Sequence, residues 1–397
     1  MPETTPEMDA LNARLETARR RAVKTLKGFS ADFPEGIDPW HMHGSRPDKA
    51  DFPVPELVLF LLRNLMRWRW RGPGEKTRWT VLGSVEGEPV AFELRKFGFT
   101  ILRGENPKIS DARIVGQLKS ALRDVEDLLG LVAEAQVAHG KALIINRAGE
   151  FEARYRFFRN LADKAYRKAS RAPRKKKSDN AQASGFADMI GFLSHSMAAN
   201  QQGFFHSTAM VDAYFSALEH RLVLLRAFTG RPMAEGEMLT LLGSKWDGKL
   251  KDVLPVEGDR EAADLLGRMR RLKERVRNPF AHGGVENDGG SIFVHIPGLG
   301  ALPANFSRFG DSVRFSLHPI EADDHAEACA LFDALDLRLS SGALEGANTM
   351  LRAGVDPSFD AETLAKYATA GSEGPESVDA YIEHWSRAWE RHANMDY

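Results

Sequence analysis

The sequence predicts an α+β chain that is mainly helical, with a small antiparallel meander in its first half and a helical bundle in its second. Three observations carry this. Apolar residues recur at the helical period over long stretches, as in Ile114, Leu118, Leu122, Val125, Leu129 and Val132. Three short runs, Arg78–Leu82, Val90–Leu94 and Phe99–Leu102, are separated by Glu86-Gly87-Glu88-Pro89 and by Gly98, the pattern of a three-stranded meander. From Ala187 the helical pattern dominates and is interrupted only between Glu286 and Leu317.

Taken in order, residues 8–27 place Leu11, Leu15, Ala18, Ala22 and Leu26 on one helical stripe with arginines between them. Phe29–Pro55 is rich in Pro, Gly and Asp and reads as loop. It carries His41 and His43, but no carboxylate or thiol cluster accompanies this His-x-His to complete a metal site. Val54–Trp70 reads as a buried helix ending in Arg67-Trp68-Arg69-Trp70. Such a run can stack on bases; the favoured reading is a helix end with packed indoles and snorkelling guanidiniums. After the meander, Ser110-Asp111 caps a helix that runs to about Ala138. Ala142–Asn146 reads as one more strand, and Phe151–Ala169 as a helix.

The second half reads as helices over His206–Phe228, within Gly236–Leu254, over Asp259–Arg277 and over Pro319–Leu339. Ser291–Pro297 and Ser312–Leu317 read as a hairpin with a long connection. Two short helices and a terminal one from Ser377 to Ala393 follow, the last with Tyr381, Trp385 and Trp389 on one stripe. The expected division is an α+β domain at 1–171, a basic and polar linker at 172–186, a helical domain at 187–340 and a helical extension at 341–397.

Bulk properties narrow the function. The formal net charge is -1, so attraction to a polyanion has to come from local patches. One such patch is Lys164, Arg167, Lys168, Arg171, Arg174, Lys175, Lys176 and Lys177, a stretch that contains no acid. It suits electrostatic contact with a phosphate backbone. Cys329 is the single cysteine, which excludes an intrachain disulfide and a Cys-rich zinc site. No phosphate-binding loop, dinucleotide fingerprint or other cofactor motif is present, and none of the apolar runs suits a membrane span. The chain reads as a soluble cytoplasmic protein without cofactor or metal.

The stretch that points to chemistry is Arg277-Asn278-Pro279-Phe280-Ala281-His282-Gly283. Pro279 disfavours helical geometry at Asn278, so the preceding helix should stop or kink near Arg277. Asn278 reads as an N-cap with Pro279 at the first position of a new turn. Arg277 and His282 are five residues apart, about 140° apart on a straight helix, so they converge only through a kink or across a dimer axis. Arg268, Arg270, Arg271, Lys273 and Arg275 crowd the same helix, with Arg271 and Arg275 as further candidates for RNA contact. Without convergence, the stretch is a capped helix end.

Arg277-Asn278 followed by three residues and His282 resembles the R-N-x-x-x-H form of the HEPN superfamily motif. Ala213–Leu225, with Glu219 inside it, is similar to that family's opening helix with its buried acid. The likeness spans about residues 187–340. It implies an all-α domain that dimerises so that two motifs face one cleft, and a metal-independent endoribonuclease. His282 would then be the acid–base group and Arg277 the phosphate clamp, with Asn278 capping the turn and Glu219 holding the arginine. RNA is the implied substrate. A toxin or antiviral role, with an antitoxin or regulatory protein as partner, is compatible with it. A silent HEPN-like binding module and a plain helical scaffold are the competing readings.

Overall fold

In this computed structural model the chain is described over residues 6–171, 184–277, 292–306, 313–315, 318 and 320–395. It is α+β, mainly α, and forms two compact units, one of residues 1–138 with 383–397 and one of residues 139–382.

The first unit is a sheet packed on helices. Helix α1 (Pro6–Thr25) buries Ala18 and Ala22, and Leu26 follows directly on the same stripe. Strands β1 (Phe29–Ser30) and β2 (His43–Ser45) lie within the segment expected to be loop. The expected Val54–Trp70 helix is shorter than its apolar content suggests. Helix α2 (Glu56–Leu59) continues as a π-turn over Phe60–Leu65 and stops. Arg67 then takes a left-handed φ of 61°, and Arg69–Arg71 forms strand β3. Trp68 turns inward, where its ring fills the space beside Gly83; a Cβ there would meet it at 2.2 Å. The meander is present as β4 (Thr77–Val85), β5 (Glu88–Arg95) and β6 (Gly98–Arg103). The sheet runs β1-β4-β5-β6-β2, all neighbours antiparallel, with β3 paired to β4 as well. Its inner face, including Val81, Phe92 and Ile101, packs against the Ile114, Leu118 and Val125 stripe of α3 (Asp111–Ala138).

The second unit is helical. Helix α4 (Ala148–Ala169) packs along α5 (Ser184–Arg226), a 43-residue helix. Helices α6 (Glu237–Gly243), α7 (Trp246–Val253) and α8 (Arg260–Leu272) follow. Asp259 caps α8 by accepting the Ala262 amide at 3.0 Å, and Leu265, Leu266, Met269 and Leu272 face the core as their spacing requires. The hairpin of the sequence reading contains an extra strand. β7 (Ile292–Ile296) pairs with β8 (Gly300–Phe306), which pairs with β9 (Val313–Arg314). Gly300 and Pro303 disguise β8 as a connection. Ala142–Asn146 makes only an isolated bridge, Leu143 to Ser358, and is not a strand. Helix α9 (Ala322–Leu339) completes the core. α10 (Glu345–Arg352), α11 (Ala361–Glu373) and α12 (Pro375–Asn394) follow it.

Candidate functional site

The end of α8 is where the sequence places the chemistry. The helix does not run straight into the motif. At its end it widens into a π-turn over Lys273–Arg277; the stop or kink expected from Asn278-Pro279 lies outside the described residues. Such π-turns are rare and gather at functional positions. Val276 stays buried through the turn and anchors it to the core. Asn278 and His282 lie outside the described residues, as do the side chains of Arg275 and Arg277.

The flanking cations are sorted by the fold. Arg270 binds Asp247 at 2.5 Å, and the Lys273 ammonium sits over Phe215 and Trp246, 5.5 and 5.6 Å from the ring centroids. Arg268 reaches Asp264 at 3.9 Å, and Arg271 is exposed. The sequence reading placed these cations together, crowding the end of the motif helix. It missed that two of them are drawn inward by an aromatic pair and an aspartate supplied from elsewhere in the chain.

Contact pairs also fix the direction of the motif helix. Arg338, at the end of α9, binds Asp259 at the start of α8 at 2.7 Å. Lys273, at the other end of α8, lies over Phe215 of α5. Ser207 meets His325, and Tyr214 stacks on Phe332 at 3.7 Å, so α5 and α9 run parallel. Helix α8 is therefore antiparallel to both. Glu219 lies one turn after Phe215, so α8 is moving away from Glu219 as it approaches Arg277. Glu219 itself is half-buried on α5.

Helix α4 is also antiparallel to α5, because Tyr155 meets Tyr214 while the Tyr166 ring lies against Gly203. Its basic C-terminal turns thus point toward the same end of the bundle as the π-turn. Lys164, Arg167, Lys168 and Arg171 are exposed there, with Arg167 reaching Asp163 at 3.6 Å. Arg174, Lys175, Lys176 and Lys177 lie outside the described residues.

Two polar clusters between α4, α5 and α9 were not foreseen. In the first, His325 Nε2–H donates to Asp163 Oδ1 at 3.0 Å, which leaves Nδ1 to accept the Ser207 hydroxyl at 3.0 Å. The three residue types are those of a hydrolase triad, but the ring nitrogens are exchanged, with the serine on Nδ1 and the aspartate on Nε2, and Ser207 is 1% exposed and His325 4%, so the hydroxyl has no access to substrate. Burial lowers the histidine pKa against the pull of Asp163, and burial pushes the adjacent Cys329 thiol up to about 11. These groups join three helices. In the second cluster, Arg221 donates to Asp336 at 2.9 Å and to Asn348 Oδ1 at 2.7 Å, and the Tyr214 hydroxyl donates to Asp336 at 3.1 Å. Burial raises the Asp336 pKa, with Arg221 opposing. This cluster lines a cavity of about 650 Å³ whose rim includes Glu152 and Arg156. Helix spacing alone cannot reveal either cluster, because each joins residues more than a hundred positions apart.

Among the described residues no group of three or more histidine, cysteine or acidic side chains could hold a metal ion, and no helix is long and apolar enough to cross a membrane. No family model, curated protein or solved structure matches this chain.

Proposed function

We propose that the helical region around α8 is a metal-independent endoribonuclease of the HEPN kind, acting as a homodimer in which two Arg277–His282 pairs share a cleft. The observation that carries this is the position of the motif. Arg277 is the last residue of a π-turn at the end of a helix with a fully apolar buried face, and the basic turns of α4 point toward the same end. A toxin or antiviral role, with an antitoxin or regulatory partner, is the biological setting this chemistry suits.

The chemistry follows from the residue types. The 2′-hydroxyl of the substrate attacks the adjacent phosphorus and the bond to the 5′-oxygen breaks, leaving a 2′,3′-cyclic phosphate. His282 takes a proton from the nucleophile or gives one to the leaving oxygen. Arg277 holds the phosphate oxygens with a fork that stays charged throughout. Asn278 caps the turn that carries both. Lys164, Arg167, Lys168 and Arg171, with Arg174 to Lys177, Arg271 and Arg275, supply backbone contacts.

The test is cleavage of a labelled RNA in EDTA by the wild type and by His282→Ala. Loss of about 10²-fold or more in the variant, no cutting of 2′-deoxy substrate and a cyclic-phosphate product are expected. Equal cleavage by wild type and variant would refute the assignment. RNA binding without cleavage would favour the silent module instead.

A further inference from the structure

The Arg67–Trp70 run was expected to be a helix end with both indoles packed; the run instead leads into a strand, and only one indole is packed. Trp68 is 3% exposed, whereas Trp70 is 38% exposed on the edge strand β3. The Arg63 guanidinium lies over the Trp70 ring, 3.8 Å from its centroid. Arg69 and Arg71 flank Trp70 in β3, paired with Leu82 and Thr80 of β4, and so project to the opposite face of the strand. Arg67, held at positive φ, stands at the turn into the strand. All four arginines are exposed, and among the described residues none of them forms a salt bridge. Glu56, the acid of the helix that carries Arg63, is already bound by Arg78 at 2.6 Å.

We infer that Arg63, Arg67, Arg69, Trp70 and Arg71 form a binding surface for single-stranded nucleic acid. Four uncompensated guanidiniums within nine residues make a local positive field, separate from the Lys164–Lys177 stretch, in a chain whose net charge is only -1. The two faces of β3 divide the work. Arg69 and Arg71, about 7 Å apart along the strand, meet successive phosphates, and Arg67 at the turn into the strand meets a third. Trp70 with Arg63 offers a flat, sequence-tolerant platform for a base. Guarding a sheet edge against aggregation accounts for charges on β3, but it does not call for an exposed indole with a guanidinium stacked on it. RNA as the polymer rests on the ribonuclease reading above; the surface itself does not.

The experiment uses the full chain and a fluorescein-labelled 2′-O-methyl oligouridylate, which cannot be cut at its 2′-position, so binding is read whether or not the chain is a nuclease. Anisotropy is followed over a salt series. Replacing Arg67, Arg69 and Arg71 together by Gln should flatten the slope of log affinity against log salt by about 2, since each phosphate contact on a single strand contributes roughly 0.7. Trp70→Ala should weaken binding about tenfold with the slope unchanged. The matching Arg→Lys triple variant retains the charge and should keep most of the slope, and it shows whether loss in the Gln variant comes from misfolding. An unchanged slope in the Gln variant overturns the inference. So does an indifferent Trp70→Ala combined with arginine-dependent capture by phosphatidylserine vesicles, which would mark a lipid-facing patch. Failure of His282→Ala to alter cleavage bears only on the ribonuclease reading.

Discussion

Replacing Asn348 by Leu should cost the second unit about 1–3 kcal/mol. Asn348 is 4% exposed, and all of its polar atoms are engaged. Its amide donates to Leu339 O and Leu344 O, each at 2.7 Å, and its oxygen accepts from Arg221 at 2.7 Å. Leu339 is the last residue of α9, so its carbonyl has no partner within that helix. Leucine fills the volume but strands the Leu339 carbonyl, at a cost of roughly 1–3 kcal/mol, more than the net worth of the bond itself; the Leu344 carbonyl, at the N-cap of α10, keeps the backbone amide of position 348 as its first intrahelical partner. Arg221 keeps Asp336 and adds little to the loss. The assay is urea unfolding followed by far-ultraviolet circular dichroism, with the midpoint compared at constant slope. Asn348→Asp separates the contributions, because it preserves the acceptor for Arg221 but points an oxygen at two carbonyls. It should be no more stable than Asn348→Leu. A loss below about 1 kcal/mol for Leu, or rescue by Asp, would refute the reasoning that helix capping dominates at this position.

Gly203→Ala should destabilise by about 1–3 kcal/mol, because its Cβ would meet the Tyr166 ring at 2.5 Å and that ring is held by the Tyr166 hydroxyl donating to Ile320 O at 3.0 Å; a melt no lower than wild type would contradict this. Stability should fall on mild acidification. His325 and His220 both have pKa values lowered in the fold, mainly by burial, so the unfolded chain takes up protons first and stability is lost as the pH drops below about 6.5. The loss should approach about 1.4 kcal/mol per pH unit for each histidine until its folded pKa is reached, and His325→Asn should remove one histidine's share in urea titrations across that range. An unaltered pH slope in that variant would show that another group carries the effect. Neutralising Arg174, Lys175, Lys176 and Lys177 should weaken RNA binding and flatten its salt dependence without changing sequence preference; an unchanged slope would leave that segment as linker only.

The legible parts of the fold were those with strong local periodicity. The α3 stripe and the α8 face were readable because one apolar face at the helical period leaves little choice of structure. The meander was readable because its turns carry Gly87 and Gly98 at positive φ. The errors fell where local preference and tertiary packing disagree. Phe60–Leu65 is apolar enough to continue a helix, yet the chain leaves it so that Trp68 can close over Gly83. β8 contains a proline and begins at a glycine, and it is held by strands on both sides rather than by propensity. The fold class was thus available from pattern, while the partners of Lys273, Arg221 and His325 required the fold itself.

Register gives the motif helix its most specific constraint. Arg338 with Asp259 and Lys273 with Phe215, together with the parallel packing of α5 and α9, set α8 antiparallel to α5. A helix advances about 1.5 Å per residue, so Arg277 lies roughly one turn beyond Lys273, in the direction of Val211 and away from Glu219. The role given to Glu219, holding the arginine by an ion pair, therefore asks the Arg277 side chain to reach back along α5. Asp212, one turn before Ser216 on α5, lies in the direction the motif is heading and already faces Arg154 at 3.9 Å. A double-mutant cycle decides between the two acids. Arg277→Ala combined with Glu219→Gln should be additive in cleavage rate if the pair does not form, and Arg277→Ala with Asp212→Asn should be non-additive if that acid orients the arginine instead. Additivity in both cycles would mean that the clamp is positioned by its own turn, with Asn278 as the capping group.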